Sequence, residues 1–299
     1  MLVEGTYRDH SVFARASTLA TPSSNRIPWN EPPFPLSPGW YLGNVQTLIS
    51  EHLQAPEDGF GLQQAVLEEV ASGERGPTAL IWTSSRYVGV TRPETRLPGF
   101  GKAVEAAQSL GFPVLVRNSG GGAVAANEGS ISFSLTFPVE DLRHGLYERY
   151  TEGVDLVAAA IRRTGVAAEG GAVEGEFCPG AYSVRSGGPQ GIKHAGLAQR
   201  VTRRAARVEA LILVSSTAEL VEVLERFYAA LRLPFRRESI GDLPANVPQV
   251  IEALAAEVRE RYGGKAVATS GDLLAKAASH RDMWQVARPR GHKSLDPAG

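Results

Sequence analysis

The chain has 299 residues, 43% hydrophobic and 21% charged, enough to bury a substantial core in one large or two small domains. A formal net charge of −1 provides no overall field for nucleic acid or an anionic membrane, so neither is an expected partner. A single cysteine excludes an internal disulfide framework and a thiolate-rich metal site.

In chain order, residues 1–39 read as an irregular arm, because Pro22, Pro28, Pro32, Pro33, Pro35 and Pro38 fix φ and remove backbone donors. No basic segment leads into an apolar run at the start, and no run approaches the roughly 20 apolar residues of a membrane span. A cytoplasmic protein is the expectation. Residues 40–265 read as the folded domain and 266–299 as a helical, polar tail. Leu62, Ala65, Val66 and Val70 predict a helix over Gly61–Ser72, ending at Gly73. Thr78–Thr83 is a β-prone apolar run, Gly101–Leu110 a second helix and Pro113–Val116 a strand. Ser130–Phe137 alternates polar and apolar, which predicts a strand with one buried face. A long helix is predicted over Leu142–Thr164, then strands at Glu174–Val184, Lys193–Gln199 and Val208–Val214. Ser216 or Thr217 caps a helix running to Leu231, and another spans Pro248–Tyr262. Strands joined by short turns predict an α+β domain with a mixed, largely antiparallel sheet packed with helices.

Two stretches carry chemistry. In VLVRNSGGGAV (Val114–Val124), a strand runs into Gly120, Gly121 and Gly122, whose missing side chains let backbone approach a ligand. Free N–H groups on such a turn hold carbonyl or phosphate oxygens, and Arg117 adds a forked cation. A plain tight turn accounts for the glycines equally well, and the pattern is neither a dinucleotide nor a P-loop fingerprint.

The second stretch is EFCPGAYS (Glu176–Ser183), followed by GIKHAGLAQR (Gly191–Arg200). Cys178 precedes the turn-forming pair Pro179-Gly180. Its thiolate is the nucleophilic form, which a nearby cation favours, and Lys193 supplies one if the two segments lie side by side. The same ammonium suits a developing oxyanion. A lone cysteine also serves as a small buried hydrophobe, and lysines are mostly solvated. His194 is an alternative base, but strand alternation turns it away from Lys193, so only one of them faces the site.

VRNSGGGAVAANEGSISFSLTFP resembles the strand, glycine turn and strand of the lipoate/octanoate protein ligase and transferase superfamily, which is related in fold to biotin protein ligase and class II aminoacyl-tRNA synthetases. GIKHAGLAQR is similar to the segment carrying that family's functional lysine. The resemblance covers roughly residues 60 to 265. VRNSGG together with FCPGAYS resembles most the octanoyl-[GcvH]:protein N-octanoyltransferase branch. That resemblance implies Cys178 as nucleophile and Lys193 as its partner, with Arg117, Ser119, Gly120, Gly121, Gly122 and Gly196 binding substrate. It implies no metal and no cofactor, and GcvH-type and 2-oxoacid dehydrogenase lipoyl domains as partners. Three other readings stay open: transfer from acyl carrier protein, ATP-dependent lipoate ligation, and an acyl-domain binder without chemistry. Val124, Phe133 and Leu135 are candidates to line an acyl tunnel. Gln63 and Gln64 stand where the family commonly shows an acidic residue and receive no role.

Overall fold

The computed structural model describes residues 45–140 and 145–286. The proline-rich arm and the basic stretch Arg288–Lys293 lie outside the described residues.

Eleven strands and six helices follow in order among the described residues. They are β1 (Thr47–Leu53), α1 (Pro56–Ser72), β2 (Thr78–Ser84), β3 (Tyr87–Val90), α2 (Phe100–Ser109), β4 (Val114–Val116), β5 (Val124–Ala126), β6 (Ser130–Pro138) and α3 (Leu146–Arg162). After them come β7 (Glu169–Gly170), β8 (Ser183–Ser186), β9 (Ile192–Val201), β10 (Ala205–Leu213), α4 (Thr217–Leu231), α5 (Val247–Tyr262), β11 (Lys265–Ala266) and α6 (Gly271–Ser279). One sheet has eight strands in the order β11-β1-β2-β6-β10-β9-β8-β7; a smaller one has the order β4-β3-β5. Pairing is parallel from β11 through β1 to β2 and antiparallel from β2 to β7. This is the predicted α+β class with a mixed, largely antiparallel sheet.

Helices cover both faces of the large sheet. On one face Phe133, Leu135 and Ile81 pack with Leu156, Val157 and Ile161 of α3 and Leu254 and Val258 of α5. On the other, Leu62, Val66 and Leu67 of α1 pack on Ile49 and Leu80. The small sheet packs with α2 and α4 through Val88, Val114, Leu220 and Phe227.

Three local expectations change. Both faces of β6 are buried, because its polar side, Ser132, Ser134 and Thr136, lies under α1 instead of solvent. Glu174–Tyr182 is a loop, and only Ser183–Ser186 pairs as a strand. Cys178 sits at φ 44, and the Glu176 carboxylate accepts hydrogen bonds from Gly180 N (3.2 Å) and Ser183 Oγ (3.1 Å), which folds the stretch on itself. Finally, neither Ser216 nor Thr217 caps α4 with its own side chain. The Asp242 carboxylate does so from a distance, accepting from Thr217 N (2.9 Å) and Thr217 Oγ1 (2.7 Å).

Candidate active site

The glycine turn is clamped from two sides. β4 delivers Arg117, whose Nη1 donates to Ser119 Oγ (2.9 Å) and whose Nη2 donates to the Gly122 carbonyl (2.6 Å). The guanidinium thus spans the turn and closes it. Opposite, buried Glu94 accepts from Ala123 N (2.6 Å) with one carboxylate oxygen and from Thr91 N (2.8 Å) with the other. No motif surrounds Glu94, so the sequence alone gives it no role.

Cys178 meets this turn although 56 residues separate it from Gly122. The Gly122 N–H donates to Sγ at 3.1 Å, and Arg117 Nη2 lies 3.7 Å from the same sulfur. Gly121 has φ 97, and a Cβ there would come within 2.6 Å of Sγ. Glycine is therefore required both by the backbone conformation and by the sulfur. Gly120 differs, because a Cβ on it would meet open space. The Cys178 backbone is held in its left-handed conformation by Tyr228, whose Oη accepts from Cys178 N (2.6 Å) and donates to the Ala123 carbonyl (2.8 Å). Burial raises the Tyr228 pKa well above the usual phenol range, so the hydroxyl stays a donor.

Lys193 reaches the same place from β9. Arg185 pairs with Lys193 and Val184 with Ala195, leaving His194 as a bulge. Lys193 and Gly196 are an odd number of residues apart and would face opposite ways in a regular strand. The extra residue restores them to one face. A Cβ at Gly196 would lie 3.0 Å from Lys193 Cε, so glycine gives the lysine its room.

Lys193 is fully buried. Its Nζ donates to the carbonyls of Phe177 (2.9 Å) and Cys178 (3.2 Å), pairs with Glu176 Oε2 at 3.3 Å and lies 4.5 Å from the Phe177 ring centroid. Burial pulls its pKa below the ordinary lysine value, and the Glu176 carboxylate pulls the other way. Glu176 was not singled out in the sequence, although it stands two residues before Cys178. The cation with a contact to the sulfur is Arg117; Lys193 holds the backbone that carries it. His194 turns away to bond Ser186 Oγ (2.8 Å), and burial lowers its pKa to about 4.

A cavity of about 50 Å³ opens beside Cys178 and Lys193, lined also by Arg117, Val124, Phe177 and Gly196. Phe133 and Leu135 do not reach it, because they face α3 and α5. Their neighbour Ser132 does. Among the described residues no group of His, Cys, Asp and Glu could hold a metal ion, and no helix is long and apolar enough to cross a membrane.

Known proteins resemble the chain in sequence and in fold. An octanoyl-[GcvH]:protein N-octanoyltransferase of Bacillus velezensis is 30% identical over 230 residues, 75% of this chain and 77% of that one. The enzyme of that name from Geobacillus kaustophilus is 31% identical over 173 residues, 58% of this chain and 60% of its own length. In fold, the chain is similar to lipoate-protein ligase A bound with ATP, with a TM-score of 0.65 at 17% identity over 80% of this chain and 94% of that one. It is also similar to a bi-partite lipoate protein ligase of Thermoplasma acidophilum, with a TM-score of 0.61 at 16% identity over 80% and 92%. Residues 55–268 match the family model of the lipoyl protein ligase A/B catalytic domain, and the chain belongs to that family.

Proposed function

We propose that the chain is a cysteine-dependent acyltransferase that moves an octanoyl or lipoyl group from a GcvH-type lipoyl domain to a lysine of an acceptor lipoyl domain, such as that of a 2-oxoacid dehydrogenase. One observation carries the reading: the only thiol of the chain receives a backbone N–H and faces a guanidinium beside a cavity that a buried lysine also lines. Both contacts point at the sulfur, the atom that acts as nucleophile in such a transfer.

In the first half-reaction Cys178 Sγ attacks the carbon of the acyl amide on the donor lysine. A C–S bond forms, and the oxyanion is stabilised by the Lys193 ammonium and by N–H groups of the glycine turn. Collapse breaks the C–N bond, and the donor nitrogen takes up the proton given up by the thiol and leaves as amine. The lowered Lys193 pKa suits it to hand that proton over. In the second half-reaction the acceptor lysine, as free amine, attacks the thioester. A C–N bond forms, the C–S bond breaks and the thiolate returns, while the proton lost by the acceptor nitrogen restores the Lys193 ammonium. One amide replaces another, so the exchange is near neutral in free energy and uses no ATP. Each buried methylene of the acyl chain contributes about 0.8 kcal/mol to binding.

The test supplies an acceptor lipoyl domain with three donors in turn: octanoylated GcvH, octanoyl-acyl carrier protein, and free octanoate with ATP. Labelling from the first without ATP supports the proposal. Labelling only from the second moves the chain to the carrier-protein transferases, and only from the third to the ligases. Stable association with the lipoyl domain and no labelling would indicate a binder.

A further inference from the structure

The cavity floor follows the register of the large sheet. Trp82 stands opposite Ser132, Ser132 opposite Leu211, and Leu211 opposite Gly196, a straight row across β2, β6, β10 and β9. All four residues line the cavity. The row begins under the cysteine loop, where Gly196 lies against Lys193 and Lys193 Nζ holds the Cys178 carbonyl. It ends at Trp82. Strands are about 4.8 Å apart, so the three steps from β9 to β2 cover about 14 Å.

We propose that Trp82 is the chain-length ruler of this enzyme: its indole closes the far end of the acyl tunnel and makes eight carbons the longest chain carried. This rests on the acyltransferase reading. With C–C bonds of about 1.5 Å, an extended chain advances about 1.25 Å per carbon, so an octanoyl group reaches about 9 Å from its carbonyl carbon. The remaining length of about 5 Å is little more than the van der Waals separation of about 4 Å between a terminal methyl and a ring. Two further carbons would drive the chain into the indole.

The indole is wedged where it stands. A Cβ on Gly59 would come within 2.2 Å of its ring, so the backbone of α1 lies directly against it. Phe60 meets it edge-on at 5.8 Å and Tyr87 stacks on it at 6.4 Å. Within the row Trp82 is the one aromatic, beyond Gly196, Leu211 and Ser132; Tyr87 joins it from β3, bonded to Ser132 and stacked on the indole. Past Trp82 the row continues to Glu51 on β1. Removing the indole therefore opens one more strand step, about 5 Å, or about four carbons.

Full-length wild type, Trp82→Ala, Trp82→Leu and Ser132→Leu are each offered GcvH carrying hexanoyl, octanoyl, decanoyl, dodecanoyl or tetradecanoyl groups, and the rate of acyl-enzyme formation is read by intact mass. Wild type should load octanoyl at least tenfold faster than dodecanoyl. Trp82→Ala should raise the dodecanoyl-to-octanoyl ratio at least tenfold. Ser132→Leu, with bulk one strand nearer the cysteine, should shift the preference to hexanoyl. An unchanged ratio in folded Trp82→Ala overturns the ruler and leaves the transferase standing. If circular dichroism shows that variant unfolded, Trp82→Leu and Ser132→Leu decide in the same way. A wild type that loads no chain overturns the transferase reading, and the ruler with it.

Discussion

Cys178 occupies a conformation that costs a non-glycine residue roughly 1–2 kcal/mol, and it is retained because Tyr228, Lys193 and Glu176 hold the backbone around it. Its carbonyl is tied to one cation while its sulfur faces another, so the loop is fixed at both ends. Cys178→Ser should abolish transfer with the fold unchanged, since the hydroxyl keeps the shape and loses the nucleophile. Transfer by that variant at the wild-type rate would contradict the thioester route. Gly121→Ala tests the fit of turn to sulfur. The added methyl meets Sγ at 2.6 Å on a backbone at φ 97, and a displacement near 1 Å at a nucleophile costs on the order of 10²-fold in rate. Acyl-enzyme formation should fall by about that factor, whereas Gly120→Ala, which meets nothing, should act as wild type. Equal rates for the two would show that the turn does not position the thiol.

At the scale of elements, two devices act over distance. Asp242 caps α4 from outside the helix, so Asp242→Ala should lower stability by about 1–2 kcal/mol and Ser216→Ala by much less. Thermal melts of the two variants check the order; the reverse order would restore the local cap that the sequence suggests. In β9, His194 is the bulge residue that turns Lys193 to the cavity. Its folded pKa of about 4 lies below the unfolded value near 6.5, so between these values the unfolded chain binds more protons. Stability is therefore lost as pH falls from 6.5 to 4, by up to about 3 kcal/mol at 1.36 kcal/mol per pKa unit. Urea melts at pH 7.0, 5.5 and 4.5 should show this slope in wild type and lose that part of it in His194→Gln. The same slope in both proteins would contradict the assignment. The bulge also shows a limit of sequence reading. Alternation separates Lys193 from His194 correctly, but it gives no hint that one inserted residue aligns Lys193 with Gly196. Likewise Ser132, Ser134 and Thr136 read as a solvent face because their polarity is visible and the helix above them is not.

Over the whole molecule, the elements were more legible than the contacts between them. Periodicity located α1, α2, α3, α4 and α5 and the strands β2, β4, β6, β9 and β10, since each depends on near neighbours in the chain. The site depends on five segments that meet only in three dimensions: Glu94 after β3, the glycine turn after β4, the Glu176–Cys178 loop, the bulge of β9 and Tyr228 of α4. Motif resemblance brought Arg117, Cys178 and Lys193 forward. Glu94, Glu176, Tyr228 and Trp82 carry no local signal, because each owes its position to tertiary packing. The proposed transfer through one thiol predicts parallel double-reciprocal plots when donor and acceptor lipoyl domains are varied. Intersecting lines would mean that both bind before any acyl group moves.

The central claim is a covalent acyl-cysteine, and the most direct measurement is the intact mass of the enzyme after mixing with octanoylated GcvH in the absence of ATP and acceptor. The account predicts a gain of one octanoyl group, removed by hydroxylamine, absent from Cys178→Ser and passed to an acceptor lipoyl domain when that is added. An enzyme of unchanged mass that nevertheless transfers the octanoyl group would contradict it.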